Sequence, residues 1–254
     1  MNTYGREQLM GKTIAITGAG DGLGRALARR FAADGDTVLL LGRTLSKLQV
    51  IADEIGAPHA AFECDVADPA SVRGAFAAIA ERFPKIDVLI NNAGVYEPFS
   101  LADARDDQIL NQLTINLAGP VFCARAALPL LRSGGHIINV TSESVALQMP
   151  LLWMYAGAKA GLELVSTMWG RELEADGVRV TVVRAGMMMD ETKTGSAWPI
   201  EVSMRFAQET AKIGLNLRER PISHYNSVTD AFRAVVDAPS DLHYGLVTLN
   251  GSRH

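Results

Sequence analysis

Seven short apolar runs recur along the chain, and none of them alternates with polar positions: TIAITG (13–18), TVLLLG (37–42), HAAFECDV (59–66), IDVLINNAG (86–94), GHIINVTS (135–142), VRVTVVRAG (178–186) and YGLVTLNG (244–251). A strand that is apolar on both sides must be covered on both faces. Between the runs lie amphipathic stretches with helical spacing, at 23–35, 45–56, from an Asp68 N-cap towards Phe83, and at 152–176. The stretch at 103–132 holds Pro120 and Pro129 and is expected to be bent or broken. Strand and helix in alternation give an α/β fold: a doubly wound, mostly parallel seven-stranded sheet with helices on both faces, in one domain. Residues 187–224 interrupt the rhythm. A long excursion beyond the carboxyl end of a strand suits a cover over a ligand site.

Composition narrows the function. The 254 residues are 48% hydrophobic and 20% charged with net charge −4, leaving no basic footprint for nucleic acid and no basic block for a membrane surface. Apolar runs stay well short of the ~18 residues that cross a bilayer. The opening MNTYGREQLM lacks a secretory core, so a reducing cytoplasm is expected. Cys64 and Cys123 sit in apolar surroundings and read as buried small side chains, and the five histidines show no ligand spacing, so no metal is expected.

The first strand leads into TGAGDGLG, which fits T-G-x-x-x-G-x-G through Gly18, Gly22 and Gly24, with Asp21 and Leu23 between them. Glycines there let the backbone turn sharply and approach a pyrophosphate, which the free N–H groups of the next helix would hold. The second strand ends LLLGRT, placing Gly42 where an acid would bind a ribose 2′-hydroxyl and Arg43 beside it. Arginine accommodates a 2′-phosphate, so NADP(H) is favoured, with NAD(H) possible because Asp21 would repel that phosphate.

Near the middle, YAGAK puts Tyr155 and Lys159 on one helix face with only small residues between. TGAGDGLG, CDV (64–66), NNAG (91–94), INLAG (115–119), INVTS (138–142) and YAGAK stand in this order, and together they resemble the short-chain dehydrogenase/reductase family in its compact, Rossmann-like form. The resemblance implies a general acid/base at Tyr155. Lys159 would bind the nicotinamide ribose and lower the tyrosine pKa. Ser142, thirteen residues before Tyr155, would hold the substrate oxygen, with Ser144 as its rival, and Asn116 would support Lys159 through a water. Asp65 and Val66 correspond to the adenine contact, and Asn91, Ala93 and Gly94 to the floor of the ribose site. Gly186 and Met188 would lie by the nicotinamide. Homodimers or homotetramers are implied as well, through the helix at 152–176.

Departures from the family pattern occur in RAGMMMDET, where Ala185 replaces a proline and Asp190 a threonine, and at the NGSRH terminus. The substrate is expected to be a small molecule met by Ser142, Gln148, Trp153, Tyr155, Met187 and Met189, with Met149, Leu151, Leu152, Met154, Trp198 and Met204 as further lining. Methionine and tryptophan suit an apolar alicyclic, steroid-like or aryl alcohol–ketone pair. Alternatives are a 3-oxoacyl-thioester reductase and, more remotely, a non-catalytic nucleotide-binding scaffold. Glu143 reads as a polar rim residue without chemistry.

Overall fold

The computed structural model describes residues 11–189 and 198–252. Strand β1 (Thr13–Thr17) is followed by α1 (Gly22–Ala33), β2 (Thr37–Gly42), α2 (Leu45–Ile55), β3 (Ala60–Glu63), α3 (Pro69–Arg82) and β4 (Ile86–Asn91). Next come α4 (Asp106–Leu113), a π-helical turn (Thr114–Ala118), α5 (Gly119–Ala127), β5 (Leu131–Ser142), α6 (Ser144–Leu147), α7 (Trp153–Glu172) and β6 (Arg179–Ala185). The remainder is β7 (Met188–Met189), α8 (Ile200–Lys212), a 3₁₀ turn (Leu217–Glu219), β8 (Ser223–His224), α9 (Tyr225–Val236) and β9 (Leu246–Leu249).

Seven strands pair in parallel in the order β3-β2-β1-β4-β5-β6-β9. The inner strands feed both faces, which is why no polar alternation marks them, whereas β9 at the edge packs Val247 and Leu249 and leaves Leu246 exposed. Ile14, Ile16, Val38 and Leu40 pack with Leu27, Phe31, Leu48 and Phe232 of α1, α2 and α9. Ala15, Leu39, Leu41 and Leu89 pack with Val72, Phe76, Ile79 and Ala127 of α3 and α5. Cys64 and Cys123 lie in the second core as free, buried thiols. Asp68 caps α3 as expected, accepting from Ala70 N at 2.8 Å. The sheet reverses direction of winding between β1 and β4, and the crevice beyond their carboxyl ends is where such sheets take ligands.

The break expected in 103–132 is present, but its π-helical form and a second small sheet were not legible beforehand. The 103–132 region divides at a π-helical turn whose exit carries Pro120, a residue with no N–H to give the carbonyl of Asn116 four residues back. The excursion closes on itself, since β7 and β8 form a two-stranded parallel ribbon pairing Met188 with Ser223 and Met189 with His224. Asp190 lies outside the described residues.

Candidate active site

The glycine turn is locked from beneath by a threonine. Thr17 Oγ1 accepts from the backbone N–H groups of Asn92 and Ala93, each at 3.0 Å, and Asn92 Nδ2 donates to Thr17 O at 3.0 Å. Gly18 has φ +67°, and a Cβ on it would come within 2.9 Å of Ala93 Cα. A Cβ on Gly24 would fall 2.2 Å from Gly18 O, so only glycine lets α1 sit this close to the strand. The cradle therefore has the bare backbone that a pyrophosphate needs. Leu23 is buried against β1. Asp21 N-caps α1, accepting from Gly22 N at 2.7 Å, with Arg25 4.0 Å away, so its charge is partly satisfied within its own helix. Gly42 ends β2, and Arg43 and Lys47 are both exposed just beyond it. A Cβ on Gly20 would lie 3.6 Å from Lys47 Cβ, which brings this second cation next to the turn.

On the neighbouring loop Asp65 Oδ1 accepts from Ala67 N at 2.9 Å, and Val66 is buried against Gly119. Asn91 departs from its expected place. It is 1% exposed, and its Nδ2 donates to Asn139 Oδ1 at 2.8 Å, so its side chain knits β4 to β5. The next residue, Asn92, does the work at the turn, and Thr17 with it. Both lie within the quoted motifs, but their bonds cross from β1 to the end of β4, so this lock could not be read from the motifs alone.

Tyr155 and Lys159 occupy the first turns of α7, as the YxxxK spacing requires. Lys159 is 3% exposed and its Nζ donates to Val140 O at 2.8 Å, 5.9 Å from the centre of the Tyr155 ring. Burial brings the Lys159 ammonium down to about 8. Ser142, the last residue of β5, lies near enough to the Tyr155 hydroxyl to favour its ionised form. Ser142 Oγ also accepts from Ser144 N at 3.2 Å, while Ser144 itself is buried with its hydroxyl unpaired among the described residues. Of the two serines, Ser142 is the one whose hydroxyl pulls on the phenol. In the protein alone burial pushes Tyr155 up to about 12, against the pull of Ser142 and with Tyr96 and Glu143 adding to the rise. Removing the phenolate from water dominates the shift, and Ser142 alone pulls against it.

Asn116 is fully buried in the π-helical turn. Its Nδ2 donates to Val95 O at 2.7 Å and Gln112 O at 2.9 Å, and its Oδ1 accepts from Val95 N at 3.2 Å. Its side chain is committed to the loop after β4. It still reaches the centre of the site, since a Cβ on Gly94 would stand 3.0 Å from Asn116 Oδ1 and 3.6 Å from Lys159 Nζ.

An aromatic wall rises over the phenol. The Tyr96 ring lies 5.7 Å from that of Tyr155, Trp198 stands edge-on to Tyr96 at 5.2 Å, and Phe206 of α8 meets Trp198 at 5.5 Å. Trp198 Nε1 donates to Tyr96 O at 3.1 Å. Tyr96 had no signal in the sequence, because only the path of the loop brings it here. Other expected lining residues pack behind this wall or beside it. Trp153 packs against Phe99 and donates to Phe99 O at 3.1 Å, and Met149 and Leu152 form a small core with Phe206. Met189 lies with Gly22 and Tyr225 beside the glycine turn, away from the phenol. Gln148 and Leu151 hold left-handed backbone, φ 49° and 64°, in the tight connection that delivers α7. Met204 is exposed on α8, and Met154 and Met187 are half-buried. Gly186 donates to Leu249 O at 2.7 Å, and Met188 packs on the core beneath.

Glu143 corrects the sequence reading most sharply. It is 7% exposed, not a rim residue, and both its carboxylate oxygens are held by Arg220, at 2.8 and 2.5 Å.

A family described as short chain dehydrogenase matches residues 12–199. The chain belongs to that family. Among its relatives are the meso-2,3-butanediol dehydrogenase of Serratia marcescens, 32% identical over 202 residues (79% of this chain, 80% of that one). The D-xylose 1-dehydrogenase of Caulobacter vibrioides is 33% identical over 195 residues, covering 75% and 76%. In fold, the short-chain dehydrogenase resembles an alcohol dehydrogenase from Thermococcus sibiricus complexed with 5-hydroxy-NADP. That structure has TM-score 0.80 and 24% identity, covering 94% of this chain and 96% of the other. The protein is thus an oxidoreductase of this family acting on alcohol or ketone groups. Among the described residues no helix is long and apolar enough to cross a membrane.

Proposed function

We propose that this dehydrogenase exchanges hydride between a nicotinamide dinucleotide, NADP(H) in preference to NAD(H), and a secondary alcohol or ketone on an apolar alicyclic, steroid-like or aryl skeleton. The observation that carries this reading is the convergence of Ser142, Tyr155 and Lys159 at the carboxyl end of β5, on the same edge of the sheet as the glycine cradle. The dinucleotide, when bound, supplies or accepts the hydride at its nicotinamide ring.

The chain's own residues do the rest. Tyr155 passes a proton to the carbonyl oxygen, or takes it from the alcohol, while Ser142 Oγ holds the same oxygen. Lys159, buried beside them, opposes the effect of burial on the phenol as positive charge collects in the site. Asn116 fixes the Val95 loop against Lys159. Arg43 and Lys47 flank the turn where a 2′-phosphate would lie, which supports the NADP(H) preference. The wall of Tyr96 and Trp198 favours a ring-bearing substrate.

A second reading, a small hydroxylated substrate, is favoured by the butanediol and xylose dehydrogenases among the relatives. Absorbance of NADPH and NADH followed against aryl and alicyclic ketones, 2,3-butanediol, D-xylose and a 3-oxoacyl thioester separates these classes. On the best substrate, Tyr155→Phe is expected to lower turnover by about 10²–10⁴-fold with dinucleotide affinity kept. Near-normal turnover in that variant refutes the acid/base role.

A further inference from the structure

We propose that Arg220 is a positioning residue for Tyr155: the end of the excursion neutralises the buried Glu143 carboxylate beside the Ser142–Tyr155 pair, and so sets the charge around the acid/base. This rests on the role given to Tyr155 above.

The geometry is specific. Glu143 follows Ser142 directly, and its backbone N donates to Ala185 O at 2.8 Å, which fixes it where β5 and β6 end. The side chain turns inward, so that a Cβ on Gly186 would lie 3.2 Å from Glu143 Oε2. Arg220 meets it in a two-pronged pair, with Nη1 on Oε1 and Nη2 on Oε2. The side chains are 19% and 10% exposed. A carboxylate this buried needs a partner, and removing the partner leaves a costly bare charge.

Backbone contacts fix Arg220 in turn. Ser223 N donates to Met187 O at 3.0 Å, Met188 pairs with Ser223, and a Cβ on Gly251 would come within 2.5 Å of Pro221 O. Arg220 thus sits between the 3₁₀ turn it caps and the β7–β8 ribbon that anchors the residues after it. The groups facing the phenol are Lys159 from its own helix, Tyr96 from the loop after β4, and Ser142 and Glu143 from the end of β5. Arg220, from the excursion, faces Glu143. Among them Glu143 is the anion, and its negative charge favours the neutral phenol. Pairing with Arg220 opposes that field.

The test is a ¹³C NMR titration of the full-length chain labelled at tyrosine Cζ, with saturating NADP⁺. The chain has five tyrosines, and Tyr155→Phe assigns the relevant signal. Arg220→Gln is expected to raise the Tyr155 midpoint, and Glu143→Gln to lower it, each by about one pH unit. The double variant Glu143→Gln/Arg220→Gln should return close to the wild type, and Arg220→Lys should keep most of the wild-type midpoint. If Arg220→Gln does not fold, Glu143→Gln and the double variant decide. Midpoints that stay together, or both single variants moving the same way, overturn the proposal, as does a phenol that stays equally protonated across the range in Glu143→Gln and wild type. Failure of the acid/base role itself would show separately, as turnover in Tyr155→Phe.

Discussion

His136 offers a test of how the core was built. It sits on β5 at 2% exposure, and its Nε2 lies 2.8 Å from Thr181 Oγ1. The Thr181 hydroxyl donates its own hydrogen to Tyr244 O at 2.6 Å, so Thr181 must accept from His136, and the ring is neutral with the proton on Nε2. Nδ1 then points into the core as an acceptor without a partner among the described residues. Burial, with Arg179, His243 and Lys12 adding positive charge nearby, brings the group from 6.5 down to about 3. The sign follows from proton uptake. Above 6.5 both states hold the ring neutral and the contribution is fully present. Below 6.5 the unfolded chain binds a proton that the fold refuses, so stability falls progressively until pH approaches 3. Each pH unit in that window costs about 1.4 kcal/mol, or about 2 kcal/mol by pH 5. His136→Gln keeps a donor for Thr181 but cannot titrate. Urea unfolding followed by circular dichroism at about pH 7.5 and about pH 5 should show the wild type losing about 2 kcal/mol more than the variant. Equal losses in the two proteins would refute the assignment of a neutral, buried ring.

Two further outcomes concern the dinucleotide site. Arg43→Ala should raise the Michaelis constant for NADPH about tenfold or more while leaving that for NADH nearly unchanged, read from initial rates; equal effects on both remove the 2′-phosphate role. Gly24→Ala, whose methyl would meet Gly18 O at 2.2 Å and Asn92 Nδ2 at 2.6 Å, should cost about 1–3 kcal/mol and weaken NADPH binding measured by fluorescence. By contrast Gly74→Ala in the open middle of α3 should stabilise by about 1 kcal/mol, and a thermal melt in which the two variants shift alike would contradict the close-approach argument.

The aromatic wall and the Arg220 strap make the excursion more than a cover. Arg205 of α8 pairs with Asp103 at 2.9 Å in the loop below it, and Trp198 bonds Tyr96 O. One end of the segment is thus tied to the loop after β4, and the other, through Arg220, to the end of β5. The same stretch of chain carries both Trp198, beside Tyr96, and Arg220, beside Glu143.

What the sequence determined by itself was everything carried by short-range periodicity. Apolar runs in TIAITG or TVLLLG have no polar face to spare, so they had to become interior strands, and the glycines of TGAGDGLG and the spacing of YAGAK fixed the turn and the shared helix face. Local geometry translates directly into such features, because φ/ψ preferences and side-chain direction act over a few residues. Only the tertiary structure decided that Asn91 belongs to the core and Asn92 to the turn, that Trp153 serves Phe99, and that Tyr96 stands over Tyr155. It alone joined Glu143 to Arg220, 77 positions along the chain. Burial and charge pairing depend on which distant elements meet, and a residue type at one position says nothing about its partner until the sheet order and the path of the loops have brought the two together.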